Sequence, residues 1–186
     1  MTCMSTPKYS AVPGSAVLAL VATVAIGSTL GNTLDPNTLA SEIQTRGAKA
    51  VASKLSSQQW VDVVKGVETG TRPWLQVAKA LHQVTDAGYS ESLSLAAGVA
   101  LARAPRDVLL ITAQEFSIEA LCGYPDMTDA RTNTQAKVVG YLDARIVAVS
   151  ELSNADVADL RTQCLDVLNK TKHDATRPDN PFSHTR

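Results

Sequence analysis

Histidine and cysteine are the scarcest chemistry-bearing residues in this chain, three of each. His82, His173 and His184 stand apart in sequence. None is spaced from another His, a Cys or a carboxylate as metal ligands usually are, so no metal site is expected. His82 shares a helical stretch with Trp74, Val77 and Leu81, which makes it a residue beside a core stripe. To act as a general base it would need a nucleophile brought close by the fold, and the sequence names none. Cys122, just before Gly123, could be a nucleophile only with its pKa lowered by a neighbour, and His82 is the sole candidate in the folded part. Cys122 and Cys164 are too far apart for a CxxC redox or zinc motif. They read as a disulfide pair, with two buried free thiols as the alternative.

The other catalytic signatures are missing. No GxSxG elbow and no glycine-rich phosphate loop occurs. Gly66 and Gly70 belong to a helix end. Glu115 and Glu119 are spaced to share one helical face, but paired carboxylates for glycoside hydrolysis also call for an aromatic cleft. The chain has 2 Trp, 4 Tyr and 2 Phe. The expectation is a non-enzymatic protein with no cofactor.

One segment suits recognition. Phe116, Tyr124 and Pro125 surround Cys122, with Asp126 and Asp129 following. A loop fixed by a disulfide, carrying Phe116 and Tyr124 as contacts and Asp126 and Asp129 as steering charges, could enter a partner's cleft. The alternative is a connecting loop with Tyr124 packed on the core. Trp60 and Trp74, at helical spacing, read as core.

Seventeen Lys plus Arg against eighteen Asp plus Glu leave a net charge of −1. That balance gives no clustered basic surface, so no nucleic-acid partner is expected. A 45% hydrophobic content fits one folded domain. The only long apolar run, Ala16–Ile26, is short for a bilayer span and fits the core of a signal peptide over residues 1–27. An uncleaved inner-membrane anchor over Ala11–Leu30 and a plain N-terminal helix are the alternatives. Residues 28–34 then form a linker, 35–170 a single helical domain and 171–186 a disordered tail. The expected location is the periplasm or the medium, where a disulfide persists.

The elements that must position these residues are helical throughout. Asp35-Pro36 opens a helix whose Leu39, Ile43, Gly47, Val51 and Leu55 fall every four residues, with Gly47 allowing close packing. Ser56 or Ser57 caps a second, bearing Trp60, Val63, Val64 and Val67. Pro73 starts a third. Ser90 caps a fourth, apolar on most sides and so central. Pro105 begins a fifth, with Val108–Ile111 as a buried strand in the alternative. A long helix follows from about Asp129 to Glu151, its inner face Val138, Leu142, Ile146 and Val149. Asn154 caps the last, with Cys164 pointing inward. The fold class is all-α, about seven short helices in an irregular bundle or a short stack of helical hairpins.

The functional expectation is an exported protein-binding domain, most concretely an inhibitor or immunity protein for a cell-envelope hydrolase. An envelope structural or assembly factor is the first alternative. An enzyme whose site is invisible in sequence is the second.

Overall fold

A computed structural model describes residues 34–177. The stretch expected to be a signal peptide, most of the expected linker and the end of the expected tail lie outside them. The described residues are all-α, with nine α-helices and no strand.

Helix α1 (Pro36–Arg46) starts where Asp35 accepts from the Thr38 amide at 2.8 Å, with Pro36 in the first turn. The single helix expected through Leu55 breaks at Gly47, whose φ is +82°. A Cβ there would meet nothing within 4 Å. Gly47 therefore serves the left-handed backbone between α1 and α2 (Ala48–Ala52) rather than close packing. Helix α3 (Ser57–Glu68) is opened by Ser56, which with Gln59 forms a reciprocal capping box. Helix α4 (Arg72–His82) buries Leu75, Val77, Ala78 and Leu81. Trp74 is half-buried and lies flat on Gly66 of α3, where no side chain would fit.

Helix α5 (Ala87–Ala100) is the central one, as its all-round apolar character predicts, with Leu93, Ala96, Ala97 and Ala100 buried. Its cap is Asp86, which accepts from Tyr89 N at 3.1 Å, and not Ser90. Asp86 comes one turn earlier and so takes the role first. Ser90 instead donates to the His82 carbonyl at 3.0 Å, tying α5 to the end of α4. Helix α6 (Pro105–Thr112) absorbs Val108–Ile111, which removes the strand alternative. Ser117 then caps the short α7 (Ile118–Cys122), so Glu115 and Glu119 do not share a helix.

Helix α8 (Gln135–Ser150) begins six residues later than expected, at a Thr134 cap. Asp126 and Asp129 accept from the amides of Thr128 and Arg131 at 2.8 and 2.7 Å, winding residues 126–131 into turns instead. A 3-10 turn, Ala155–Val157, leads into α9 (Ala158–Thr176) with no side-chain bond from Asn154. Helix α9 passes the expected boundary at Lys170. Its buried stripe of Cys164 and Leu168 continues through Thr171 and Ala175, small or polar residues that a search for large apolar ones overlooks. Gln135 donates to the Ala175 carbonyl at 2.7 Å and holds that last turn against α8.

Helix α8 packs on α9, α3 on α5, α4 on α6, and α7 against both α5 and α9. The Cys122–Cys164 disulfide joins α7 to α9, with Cα atoms 5.5 Å apart and both residues fully buried. The free-thiol alternative falls away. No helix among the described residues is long and apolar enough to cross a membrane.

Candidate functional site

The segment from Gly123 to Thr132 is held from several sides. At its start the disulfide pins Cys122. Beside it, Arg145 of α8 is 1% exposed and donates to the Gly123 carbonyl at 3.3 Å and to the Leu121 carbonyl. These carbonyls end α7, where helical acceptors lack intrahelical donors. The Arg145 guanidinium also lies 5.0 Å from the centroid of the Tyr141 ring. Burial pulls the Arg145 pKa down, yet a guanidinium stays protonated throughout the range in which proteins fold. Gly98 of α5 completes the junction. A Cβ there would lie 3.0 Å from the Leu121 carbonyl oxygen and 3.4 Å from Arg145 Nη2. Further along, buried Thr132 donates to the Asp126 carbonyl and closes the turn.

The residues expected to meet a partner separate into different environments. Phe116 does not belong to a contact surface. It is 1% exposed, with its ring centroid 4.2 Å from that of His82. The apolar ring is worth more in the core than in water, and the α6–α7 bend turns it inward. Tyr124 is 41% exposed. Asp126 is exposed, and its Oδ1 accepts from the Thr128 amide and hydroxyl. Asp129 is no free steering charge. Arg131 donates to it from Nε at 2.8 Å while its Nη1 and Nη2 reach the Glu68 carboxylate at 3.0 and 2.8 Å. The hydrogen bond from Arg131 is the main cause that holds the Asp129 carboxyl below its ordinary pKa.

This Glu68–Arg131–Asp129 bridge spans one end of a trough between α3 and α5. Trp60, Val61 and Val64 form one wall, and Tyr89 and Ser92 the other, around a volume of about 820 Å³. Trp60 and Tyr89 stack with centroids 4.2 Å apart, 17° from parallel. Val61 is 43% exposed. A narrower cleft of about 220 Å³ continues past the bridge, over Leu95, Ala96 and Val99, to Pro125, Asp126 and Tyr141. The two share Val64, Glu68, Ser92, Asp129 and Arg131, so they are one continuous depression. On the other side of Leu95, Tyr124, His82, Ser94 and Glu119 line a third hollow of about 380 Å³. The Gly123–Thr132 segment thus contributes to hollows on both sides of α5.

The residues screened for chemistry are placed elsewhere. Cys122 is bonded and leaves no thiolate. Burial lowers the His82 pKa, with Glu115 opposing it. Glu115 binds Gln83 and Lys79 of the α4 end, whereas Glu119 lines the third hollow. Among the described residues no His, Cys, Asp and Glu group is placed to hold a metal ion.

Sequence reasoning missed the trough. Val61 and Tyr89 carried one usable signal, being apolar residues just off the buried stripes of their helices. Arg131 and Glu68 carried none, because 63 residues separate them in the chain. Compared with known proteins, the chain matches no family model, no curated sequence and no solved structure.

Proposed function

We propose that this chain is an exported, non-enzymatic protein-binding domain that receives a segment of another protein in the α3–α5 trough. The trough itself carries the reading. It pairs an apolar wall, with Val61 left 43% exposed, with a charged bridge at one end. An apolar centre beside fixed polar groups is the usual anatomy of a protein recognition surface. The buried disulfide supports an oxidising compartment, since cytosolic thiols are kept reduced. The apolar run Ala16–Ile26 supports export.

The finer form of the proposal is an inhibitor or immunity protein for a cell-envelope hydrolase. Tyr124 supports it, as an exposed amphipathic side chain on a segment that a disulfide and a buried arginine hold in place. Preorganisation of that kind lowers the entropic cost of a second contact, made by Tyr124 on the other side of Leu95 from the trough.

Photo-crosslinking in cells tests the general reading. A photoreactive residue replaces Val61 in the trough, and another replaces Gln163, an exposed position on α9 outside it. The proposal expects one discrete protein adduct from position 61 and none from position 163. Equal labelling from both positions, or none from position 61, would overturn it.

A further inference from the structure

We infer that the trough's occupant is an amphipathic helix of the partner. Its apolar stripe lies over Val61 and Val64, and a Lys or Arg side chain reaches the end marked by Glu68, Asp126 and Asp129. This deepens the protein-binding reading and rests on it.

The shape of the trough argues for a helix. Its walls are two α-helices, each presenting one stripe at helical spacing: Val61, Val64 and Glu68 on α3, and Tyr89, Ser92 and Ala96 on α5. A furrow between two packed helices is where a third helix lies in a bundle, with axes roughly 8–10 Å apart. Ser92 and Ala96 are small and leave that room on the α5 side. An apolar helix face set into such a groove is a common mode of recognition.

Charge selects which helix fits. Three carboxylates line the bridged end against one guanidinium. Arg131 already spends Nε on Asp129, Nη2 on both Glu68 and Asp129, and one Nη1 hydrogen on Glu68, so its charge is compensated twice over and only one donor is left for a partner's carboxylate. The carboxylates keep spare acceptor capacity, because Asp126 binds Thr128 through Oδ1 alone. A cation is favoured there. Lys65, beside Val61 and Val64 in the wider part, disfavours a second cation at that position. The partner's basic residue therefore belongs at one end only.

Spacing makes the requirement specific. Val61 and Glu68 are seven residues apart on one helix, roughly 10 Å at 1.5 Å per residue. On the partner helix that is an apolar residue at i and a basic one at i+7.

Designed helices of roughly 18 residues, long enough to be helical when docked, provide the probe. One carries Leu at i and i+4 with Lys at i+7, a second has Glu for that Lys, and a third has the same composition scrambled. Each is labelled and titrated with the full chain by fluorescence anisotropy. The Lys helix should bind at least about 10-fold more tightly than the Glu helix, and the gap should shrink in about 0.5 M salt. Val61→Glu should weaken the Lys helix by at least about 10-fold with unchanged circular dichroism. Equal affinity for all three helices, absence of binding at millimolar peptide, or indifference to Val61→Glu would overturn the inference. So would a dimer in sedimentation that Val61→Glu dissolves, since a second copy would then fill the trough. A protein adduct at position 61 without any preference for the Lys helix would sink this inference and leave the protein-binding reading standing.

Discussion

Arg145 donates to the carbonyl of Gly123 across 3.3 Å from a side chain that is 1% exposed, and no carboxylate among the described residues pairs with it. A buried cation is ordinarily compensated by an anion. Here the compensation comes from the carbonyl dipoles that end α7 and from the face of Tyr141. Arg145→Met would remove the cation and strand two acceptors. Each buried unsatisfied group costs roughly 1–3 kcal/mol, which should outweigh the relief from burying a neutral side chain. Urea unfolding should therefore show a lower midpoint for Arg145→Met, and Arg145→Lys should rescue it only in part, because an ammonium lacks the fork that spans both carbonyls.

The disulfide should act on the same junction from the other side. Replacing Cys122 and Cys164 by Ser should cost roughly 2–5 kcal/mol, as for other long loops closed by a native bridge. Peptide mapping of denatured, non-reduced protein should find the peptides containing these two residues joined. Recovery of both as free thiols from native protein would contradict the pairing.

Two glycines should respond to alanine with opposite signs. At Gly98 a methyl group would press on the Leu121 carbonyl, a backbone atom that cannot swing aside. Overpacking of roughly 1–3 kcal/mol should outweigh the gain in helix propensity of about 1 kcal/mol. At Gly140, exposed on α8, a Cβ meets nothing within 4 Å. Gly140→Ala should raise stability by about 0.5–1 kcal/mol. Paired thermal melts measure both.

These glycines also show what the sequence could and could not disclose. The all-α class, the central α5 and the inward-facing Cys164 followed from apolar spacing alone, because burial of large side chains leaves a period that can be read. Gly98 and Gly140 look alike in sequence; only the approach of α7 to α5 separates them. Ile146 packs partly buried against the core as its hydrophobicity predicts, but the fully buried Arg145 beside it could not be foreseen, because the α7 carbonyls that need its donors are met only in the fold. Phe116 looked like part of a recognition loop because it neighbours Cys122 and Tyr124, but the bend at Ser117 directs it to the core. The trough escaped notice because it is made of residues from α3, α5 and the Gly123–Thr132 segment, whose proximity is purely tertiary.

Stability should fall in two steps on acidification. Burial depresses the His82 pKa below its ordinary 6.5, so the folded state favours the neutral ring. Its stabilisation is complete above about pH 6.5 and is lost as pH falls through the folded value. Asp107 and Asp129 are held below their ordinary values by hydrogen bonds from Arg72 and Arg131. Their contribution is complete above about pH 4 and is lost as pH falls further, through their folded values. Melting temperatures across this range should show His82→Gln flattening the upper step and Asp129→Asn reducing the lower one.

The central claim is that the α3–α5 trough is the binding face, and the affinity of the purified partner for Val61→Glu tests it most directly. A carboxylate on the exposed apolar wall leaves the core untouched, so the melting temperature should stay close to that of the unaltered protein. Affinity should drop by roughly 30-fold or more, the scale of about 2 kcal/mol seen when a central contact is spoiled. Unchanged affinity in a fully folded Val61→Glu protein would place the binding face elsewhere and contradict the account.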